Sequence, residues 1–323
     1  RYELGDKHKF SNPQDFEEFE KENPLIKMPL FLLDHSGLWM RTGSFNDVDP
    51  GEWDSGQVGW IYVTEEQLRK EYPTVNLLIN RSNQGFGKAN NQGVKKATGK
   101  YILFLNSDTI ITEHQLPNLI EYLEKYSQVG IVTCKILLPD GSLDDASHRG
   151  FPTPWRAICH FSGLGRIFPT SPFLNGYHLG FRNLDSTHEI EACAGAFLLI
   201  RRSVGDMVGW FDEDYFWYGE DLDLCYRVRQ KEYKIMFLPQ FTIFHYKGAS
   251  SGMKKHSQHL AKLDIATRRR INKARFEVMR LFYKKHYLHK YPGWVTALVF
   301  MGITIKQKLT KIRIFSFGGS QNV

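Results

Sequence analysis

The chain has few cysteines for its length, and their positions exclude two classes of small, cross-linked domain. Its 323 residues include four cysteines, which are Cys134, Cys159, Cys193 and Cys225. No CxxC pair is present, which argues against a zinc ribbon, and the wide spacing argues against a disulfide scaffold. No N-terminal signal peptide is visible either. We therefore expect a cytoplasmic protein with reduced thiols.

Long hydrophobic runs, internal repeats and low-complexity segments are also missing. The apolar run at residues 292–305 is shorter than the about 20 residues that a membrane-spanning helix needs. Hydrophobic residues make up 42% of the chain and charged residues 24%, which is ordinary for a soluble globular protein. The length suits one large domain or two ordinary ones.

Positive charge is concentrated at the C terminus. Residues 254–323 carry 16 basic and 2 acidic groups, whereas residues 1–253 carry 26 and 33. The basic segment has helical spacing and leads into the apolar run, which predicts an interfacial anchor on the inner face of the cell membrane. Trp294, Leu298 and Phe300 would enter the acyl boundary. The alternative is a helix packed on the domain. Nucleic-acid binding is disfavoured because the tail lacks an aromatic stacking platform.

The middle of the chain alternates strand-like and helix-like segments. Apolar runs and amphipathic segments follow one another over residues 75–250, which predicts a mainly parallel sheet with helices on its faces. Two further runs near the N terminus predict strands of a small α+β segment. The predicted strands are MPLFLLDH, GWIYVT, VNLLIN, YILFLN, VGIVTCKIL, CAGAFLLIRR and KIMFLPQFTIFHY.

Polar residues follow two of these strands. Asn106, Ser107 and Asp108 come directly after YILFL, and His245 follows another apolar run. Ligands gather at the carboxyl ends of strands in open parallel sheets, and Mg²⁺ or Mn²⁺ prefers hard oxygen ligands such as a carboxylate. Asp108 and His245 are therefore candidate metal ligands. A strand-end turn and a core histidine are the alternatives.

Two more stretches could carry chemistry. Gly85 opens a loop before a predicted helix and lets the backbone approach a ligand closely; an ordinary strand-to-helix loop is the alternative. Glu220, Asp221 and Asp223 crowd together, and crowded carboxylates raise one another's pKa, which suits general-base catalysis. The alternative is an acidic first turn that complements the helix dipole.

Taken together, these stretches resemble a known enzyme family. NRSNQGFGKANNQGVKKATGKYILFLNSDTII, the segment from ACAGAFLLIRR through YFWYGEDLDLCYRVRQ, and HYKGAS resemble family 2 inverting glycosyltransferases, especially the rhamnosyltransferase-like and galactofuranosyltransferase-like branches. The resemblance implies a GT-A-like, Rossmann-like fold. It also implies transfer of a sugar from a nucleotide-diphosphate donor to a saccharide or polyprenol-linked acceptor.

The resemblance also assigns roles to residues. It implies Asp221 as general base beside Glu220, and a Mg²⁺ or Mn²⁺ ion held by Asp108 and His245. The residues implied to bind the nucleotide sugar are Asn83, Gly85, Asn91, Asn106 and Asp108.

The beginning of the family's pattern is not recognisable before Val75. Residues 1–72 instead resemble a family of uncharacterised phage- and plasmid-borne proteins. We therefore expect an N-terminal segment at 1–72, a transferase-like domain at 73–253 that is truncated at its start, and a basic helical tail at 254–323. The alternative function is a catalytically impaired fusion that does not bind a donor.

Overall fold

The chain divides into two compact units. The first comprises residues 1–83 and 248–262, and the second comprises residues 84–247 and 263–323. The computed structural model describes residues 18, 25–34, 38–41, 55–64, 69–70, 73–80, 82–111, 116–216, 218–246 and 265–318.

The first unit contains a three-stranded antiparallel sheet. Its strands are β1 (Leu25–Asp34), β2 (Leu38–Arg41) and β3 (Ser55–Thr64), in the order β2-β1-β3. The two strands predicted near the N terminus fall within β1 and β3, apart from His35, which lies outside the described residues.

The strand predicted for VNLLIN is wrong. Residues 76–80 have no regular secondary structure, and Val75, Leu78 and Ile79 are 57%, 44% and 42% exposed. An isolated apolar run forms a strand only when a neighbouring strand completes its hydrogen bonds. Among the described residues no strand pairs with this segment, so its side chains remain in solvent.

The second unit is a mixed sheet flanked by helices, which confirms the predicted α/β architecture. The strand order is β4-β8-β6-β9-β5, and β7 pairs with the beginning of β9. The strands are β4 (Tyr101–Leu105), β5 (Thr109–Ile111), β6 (Val129–Leu137), β7 (His188–Ile190), β8 (Phe197–Arg201) and β9 (Lys234–His245). The helices are α1 (Phe86–Lys96), α2 (Leu116–Lys125), α3 (Pro154–Ser162), α4 (Leu164–Ile167), α5 (Arg202–Val208), α6 (Glu220–Gln230), α7 (Ile265–His286) and α8 (Gly293–Gly318).

The pairing of strands differs from the mainly parallel sheet that we predicted. Among the described strands of this unit only β6 and β9 pair in parallel. The chain leaves β6 and later enters β8 at the same edge of the sheet, so β8 runs antiparallel to β6 and to β4. The strands β4, β6 and β9 nevertheless run in one direction, and their carboxyl ends share an edge.

Both faces of this sheet are buried. On one face, Leu119 and Leu123 of α2 pack in a cluster with Val132 and Leu199. On the other face, α6 and α7 pack against Ile131 and its neighbours. Alternate residues of a strand point to opposite faces, which explains why the apolar runs of β6 and β8 are almost uninterrupted. Helices on both sides hold the sheet, and with it the carboxyl edge, rigidly.

The basic tail is helical, as predicted, and it packs into the second unit. Phe282, Tyr283 and Tyr287, in and just after α7, are buried in the same core as α6. We predicted a domain boundary at residue 254, but these residues belong to one core with the sheet. Phe300 is partly buried, packs against this core and has its ring 5.5 Å from that of Tyr283, and its place in a membrane boundary stays a prediction. No helix in the described part of the chain is long and apolar enough to cross a membrane.

Candidate active site at the carboxyl edge of the sheet

Four chain segments meet at the carboxyl edge of the second sheet. Leu105 at the end of β4 pairs with Phe197 at the start of β8, and the amide of Asn106 donates to the carbonyl of Ala196 over 3.1 Å. The neighbouring Gly195 and Cys193 precede β8. The strands β6 and β9 end at the same edge because they run parallel to β4. The topology therefore brings together side chains that are far apart in sequence.

Asp108 and His245 lie in contact at this edge, as the sequence predicted for a shared site. The Nε2 atom of His245 is 3.2 Å from Oδ1 of Asp108 and 3.4 Å from the amide nitrogen of the Asn106 side chain. The other ring nitrogen, Nδ1, lies 3.0 Å from Oδ2 of Asp144. Asp144 is completely buried and His245 is 4% exposed.

These neighbours control the charge of the imidazole. Burial alone lowers the pKa of His245, but hydrogen bonds and the negative charges of Asp108 and Asp144 outweigh burial and raise the pKa above its ordinary value. Nδ1 faces Asp144 and Nε2 faces Asp108, so in the neutral ring with its proton on Nδ1 the Nε2 atom can act as a ligand. A carboxylate behind a ligating histidine is the usual arrangement at metal sites.

The donor set fits a hard divalent cation that is shared with a substrate. An octahedral Mg²⁺ site with bonds of about 2.1 Å has neighbouring ligand atoms roughly 3 Å apart, close to the 3.2 Å between Asp108 and His245. Within the described residues no group of three or more His, Cys, Asp or Glu side chains could hold a metal ion. A cation here would take its remaining ligands from water and phosphate, as Mg²⁺ commonly does.

Asp221 lies at the same edge, in a fixed orientation. Its Oδ2 accepts a hydrogen bond from the backbone amide of Gly195 over 3.2 Å, and Oδ1 accepts one from Leu222 over 2.6 Å. The guanidinium of Arg149 lies 3.1 Å from Oδ1, and both side chains of this pair are about 15% exposed. Gly195 is next to Ala196, which binds Asn106, so Asp221 and the Asp108–His245 pair flank the same turn.

Glu220 has a different environment from Asp221. It is 7% exposed, and its Oε2 atom is buried with no hydrogen-bond partner among the described residues. Burial first, and then the charge of Asp221, raise the pKa of Glu220 to about 8. The side chain is therefore mostly neutral at neutral pH, and the two predicted catalytic carboxylates are not equivalent.

Asp223, the third acidic residue of this stretch, is structural. Its Oδ1 lies 2.6 Å from Nε2 of His286 and its Oδ2 lies 2.7 Å from Nε of Arg227. Burial raises its pKa, but the hydrogen bond from His286 and the charge of Arg227 outweigh this and lower the pKa. The carboxylate thus joins α6 to α7 inside the core.

The loop at Gly85, which precedes α1, packs beside the site. Gly85 has a φ of +81°, and a Cβ atom added there would lie 2.6 Å from the backbone oxygen of Phe216. The loop and the start of α1 are close to Gly195, whose added Cβ would lie 3.1 Å from Phe86. Gly85 is therefore required by close backbone packing beside the site. Asn83 belongs to the other compact unit, and its predicted role stays a prediction.

Asn91 has a structural role in the described chain. Its side-chain nitrogen donates to the carbonyl of Phe211 over 2.9 Å, and its side-chain oxygen accepts from the amide of Phe211 over 3.2 Å. Asn91 lines a surface cavity together with Arg202. The backbone amide of Arg202 donates to the carbonyl of Lys100, which lies at the opposite end of β4 from Asp108. The structure does not bring Asn91 to the carboxyl edge, and its contact with a nucleotide sugar stays a prediction.

Sequence reasoning missed two residues of the site, Asp144 and Arg149. Both follow β6 in the stretch LPDGSLDDASHRG, just as Asp108 and His245 follow their strands. Asp144 could therefore have been found by the same strand-end argument. Arg149 had no such signal, because it reaches the edge through a bridge in which its backbone pairs with Ala192.

Comparisons with known proteins point to one enzyme family. Residues 64–185 match the family model Glycosyl transferase family 2. Rhamnosyltransferase WbbL of Escherichia coli (strain K12) is 33% identical over 169 residues, which are 50% of this chain and 61% of that protein. The N-acetylglucosaminyl-diphospho-decaprenol L-rhamnosyltransferase of Mycobacterium tuberculosis is 28% identical over 209 residues, 61% of this chain and 67% of that protein.

Similarity to solved structures is lower. The mannosyltransferase PcManGT from Pyrobaculum calidifontis, in complex with GDP-Man and Mn²⁺, has a TM-score of 0.38 and 14% identity. The similarity covers 76% of the present chain and 72% of the mannosyltransferase chain.

The family match includes Asp108 and Asp144 and ends before Asp221 and His245. The chain spans about three fifths of the length of the WbbL relative. The resemblance predicted from the motifs is confirmed by the family match and by both rhamnosyltransferases. Over these stretches the chain is similar to family 2 glycosyltransferases and to two rhamnosyltransferases.

Proposed function

We propose that the chain is an inverting, divalent-cation-dependent glycosyltransferase. It moves a sugar, rhamnose in the first instance, from a nucleoside-diphosphate donor to a saccharide or lipid-linked saccharide during cell-surface polysaccharide synthesis. The observation that supports this most is the meeting of the Asp108–His245–Asp144 group and the Asp221–Arg149 pair at one sheet edge. The two rhamnosyltransferase relatives support the choice of sugar.

Asp221 is the base in this proposal. Its side chain is 15% exposed, and Arg149 and the Gly195 amide hold it in one orientation. Glu220 is buried and mostly neutral at neutral pH because its pKa is about 8, so it does not compete for the acceptor proton. Positioned carboxylates of this kind accelerate proton transfer by about 10²–10⁴-fold.

The reaction is a single displacement. The acceptor hydroxyl gives its proton to Asp221, and its oxygen forms a bond to the anomeric carbon of the donor. The bond from that carbon to the diphosphate breaks, and the diphosphate leaves with the electron pair. A bound Mg²⁺ or Mn²⁺ ion supplies the positive charge that stabilises the departing diphosphate. One in-line attack inverts the anomeric carbon.

Release of nucleoside diphosphate from uridine and deoxythymidine diphosphate sugars tests this proposal. With Mn²⁺ and a saccharide acceptor present, we expect Asp221→Asn to slow turnover by about 10²–10⁴-fold without changing donor affinity. Asp185→Asn is the matched control, because Asp185 is 83% exposed. Equal rates for wild type and Asp221→Asn would remove Asp221 as the base.

A second candidate function is a transferase-like protein that binds a donor poorly. The observation that favours it is the irregular, exposed segment 76–80, where the apolar pattern predicted the first strand of the transferase-like domain. Isothermal titration with the same nucleotide sugars and Mn²⁺ separates the two candidates. Micromolar binding supports the active transferase, and the absence of binding at millimolar donor supports the impaired protein.

A further inference from the structure

The second unit exposes a stripe of apolar side chains along α8. At roughly 100° per residue, the residues of this stripe fall within an arc of about 80° on one side of the helix. Ile303, on the opposite side of the helix, is buried, with an exposed fraction of 8%. The α8 stripe consists of Trp294, Leu298, Met301, Ile305 and Leu309, which are 68%, 52%, 54%, 50% and 59% exposed.

A second exposed apolar group lies on α3, α4 and the loop after them. The Trp155 ring lies 4.9 Å from that of Phe173, and its indole N–H donates to the carbonyl of Phe173 over 3.1 Å. These contacts hold the group in a fixed shape. The α3–α4 tip consists of Trp155, Ile158, Phe161, Ile167, Phe168 and Phe173, which are between 42% and 68% exposed.

The stripe and the tip meet at Lys306. The Nζ atom of Lys306 on α8 lies 3.4 Å from the centre of the Phe161 ring. Burial first, and then the charge of Arg275, lower the pKa of Lys306. Burial, the neighbouring His178 and the charges of Lys306 and Arg166 lower the pKa of His160 to about 4, against a smaller opposing effect of Asp145. The ammonium group of Lys306 therefore lies where the two apolar groups join.

The charge around these groups is mostly positive; the acidic groups next to them are Glu191, which pairs with Arg156, and Asp145, which acts on His160. Residues 151–182 contain three Arg or Lys residues and residues 278–323 contain eight, and neither segment contains Asp or Glu. A second copy of the same surface would bring like charges together, which opposes self-association. Apolar side chains flanked by cations instead match an anionic lipid surface, where apolar groups enter the acyl boundary and cations meet the head groups.

We propose that the α8 stripe and the α3–α4 tip form one surface that docks on an anionic lipid bilayer. The composition of the sequence predicted an anchor in the C-terminal tail alone. The proposed surface also includes the α3–α4 tip, which lies more than a hundred residues earlier in the chain. It does not depend on the transferase proposal, since docking is measured with vesicles alone. Surface docking requires no spanning helix.

Co-sedimentation of the full chain with vesicles tests the proposal. We expect the chain to sediment with vesicles of phosphatidylcholine and phosphatidylglycerol and to remain largely free with phosphatidylcholine alone. Trp294→Ser with Met301→Gln, and separately Ile158→Gln with Phe173→Gln, should each weaken partitioning at least about tenfold. Met207→Gln should not, and it is a matched control because Met207 and Met301 are 52% and 54% exposed.

Three outcomes contradict the proposal. If the wild type does not sediment with the anionic vesicles, there is no docking surface. If Ile158→Gln with Phe173→Gln partitions like the wild type, the tip is not part of it. If sedimentation equilibrium without lipid shows a dimer that Trp294→Ser with Met301→Gln dissociates, the surface joins two copies instead. Far-ultraviolet circular dichroism confirms that each variant is folded.

Discussion

The Nδ1 atom of His245 lies 3.0 Å from Oδ2 of Asp144, a carboxylate with no exposure to solvent. This contact fixes the ring, so that Nε2 points at Asp108 on the other side. Asp144 can affect the site through His245 without contacting a substrate. It determines which nitrogen of His245 is available and in what direction, which is how carboxylates behind ligating histidines act.

We predict that Asp144→Asn weakens Mn²⁺ binding by about 10–100-fold, the usual effect of changing a residue behind a ligand. An asparagine in this place no longer draws the proton of Nδ1 with a negative charge. Electron paramagnetic resonance of free Mn²⁺, titrated with protein and nucleoside diphosphate, measures the change. Asp145→Asn is the matched control, because Asp145 is its exposed neighbour. Equal losses in both variants would contradict the prediction.

The second prediction concerns the Arg149–Asp221 pair. Arg149→Gln leaves a poorly solvated carboxylate without its cation, and we expect a loss of about 3 kcal/mol in the free energy of unfolding. A double-mutant cycle with Asp221→Asn separates the pair from other effects of either change. Urea denaturation of the four proteins provides the free energies.

The exposed pair Lys100–Glu124 is the control for this cycle. Its side chains are 68% and 48% exposed, and solvent-exposed pairs contribute about 0–1 kcal/mol. The cycle of Lys100→Gln and Glu124→Gln should therefore give a much smaller coupling energy. A coupling energy for Arg149–Asp221 as small as the control value would show that this ion pair does not hold the site together.

The site illustrates what the sequence could and could not predict. The placement of Asp108, His245 and Asp221 at one sheet edge was predictable, because each stands at the end of a strand or the start of a helix with a clear pattern; their roles stay predictions. The contact between Asp221 and Arg149 was not, because it depends on a bridge between residues 43 positions apart, Arg149 and Ala192. Local spacing contains no information on such a bridge.

The sheet shows the same limit. The boundaries of β6 agree with the predicted run VGIVTCKIL, since a buried strand must be apolar on both faces. Strand direction was predicted less well, because β8 runs antiparallel to β6 and the apolar pattern of a strand is the same in either direction. The failure at residues 76–80 has a similar cause: apolarity indicates a strand only where a partner strand is present.

Glu220 gives a prediction for the dependence of stability on pH. Its pKa rises from an ordinary 4.5 to about 8 in the folded chain. The unfolded chain therefore loses this proton at lower pH than the folded chain, and folding stability falls as pH rises from about 4.5 to about 8. Within this window the slope approaches roughly 1.4 kcal/mol per pH unit. Below and above it, this group contributes no slope.

Glu220→Gln removes the group and should remove the slope. Relative to the wild type, we expect the variant to gain stability between pH 5 and about 8 and to show a constant difference at higher pH. Urea denaturation across this range measures it, and Glu121→Gln on the exposed face of α2 is the control for loss of one carboxylate. A variant that loses stability as pH rises would show that Glu220 is ionised when folded.

The last prediction separates two reasons for a glycine at position 85. Gly85 and Gly141 have φ values of +81° and +79°, which cost an L side chain roughly 1–2 kcal/mol. Only at Gly85 would an added Cβ meet another atom, the Phe216 oxygen at 2.6 Å, whereas nothing lies within 4 Å at Gly141. Gly141→Ala should therefore show the conformational cost alone, and Gly85→Ala about 1–3 kcal/mol more.

Thermal and urea denaturation of both variants measure this difference. Because the Gly85 loop packs beside Gly195, which binds Asp221, the extra cost should be accompanied by slower turnover in Gly85→Ala and not in Gly141→Ala. Equal destabilisation of the two variants would show that close packing against Phe216 is not what requires the glycine. Lost donor affinity with full stability in Gly85→Ala would instead indicate direct contact between this backbone and the nucleotide sugar.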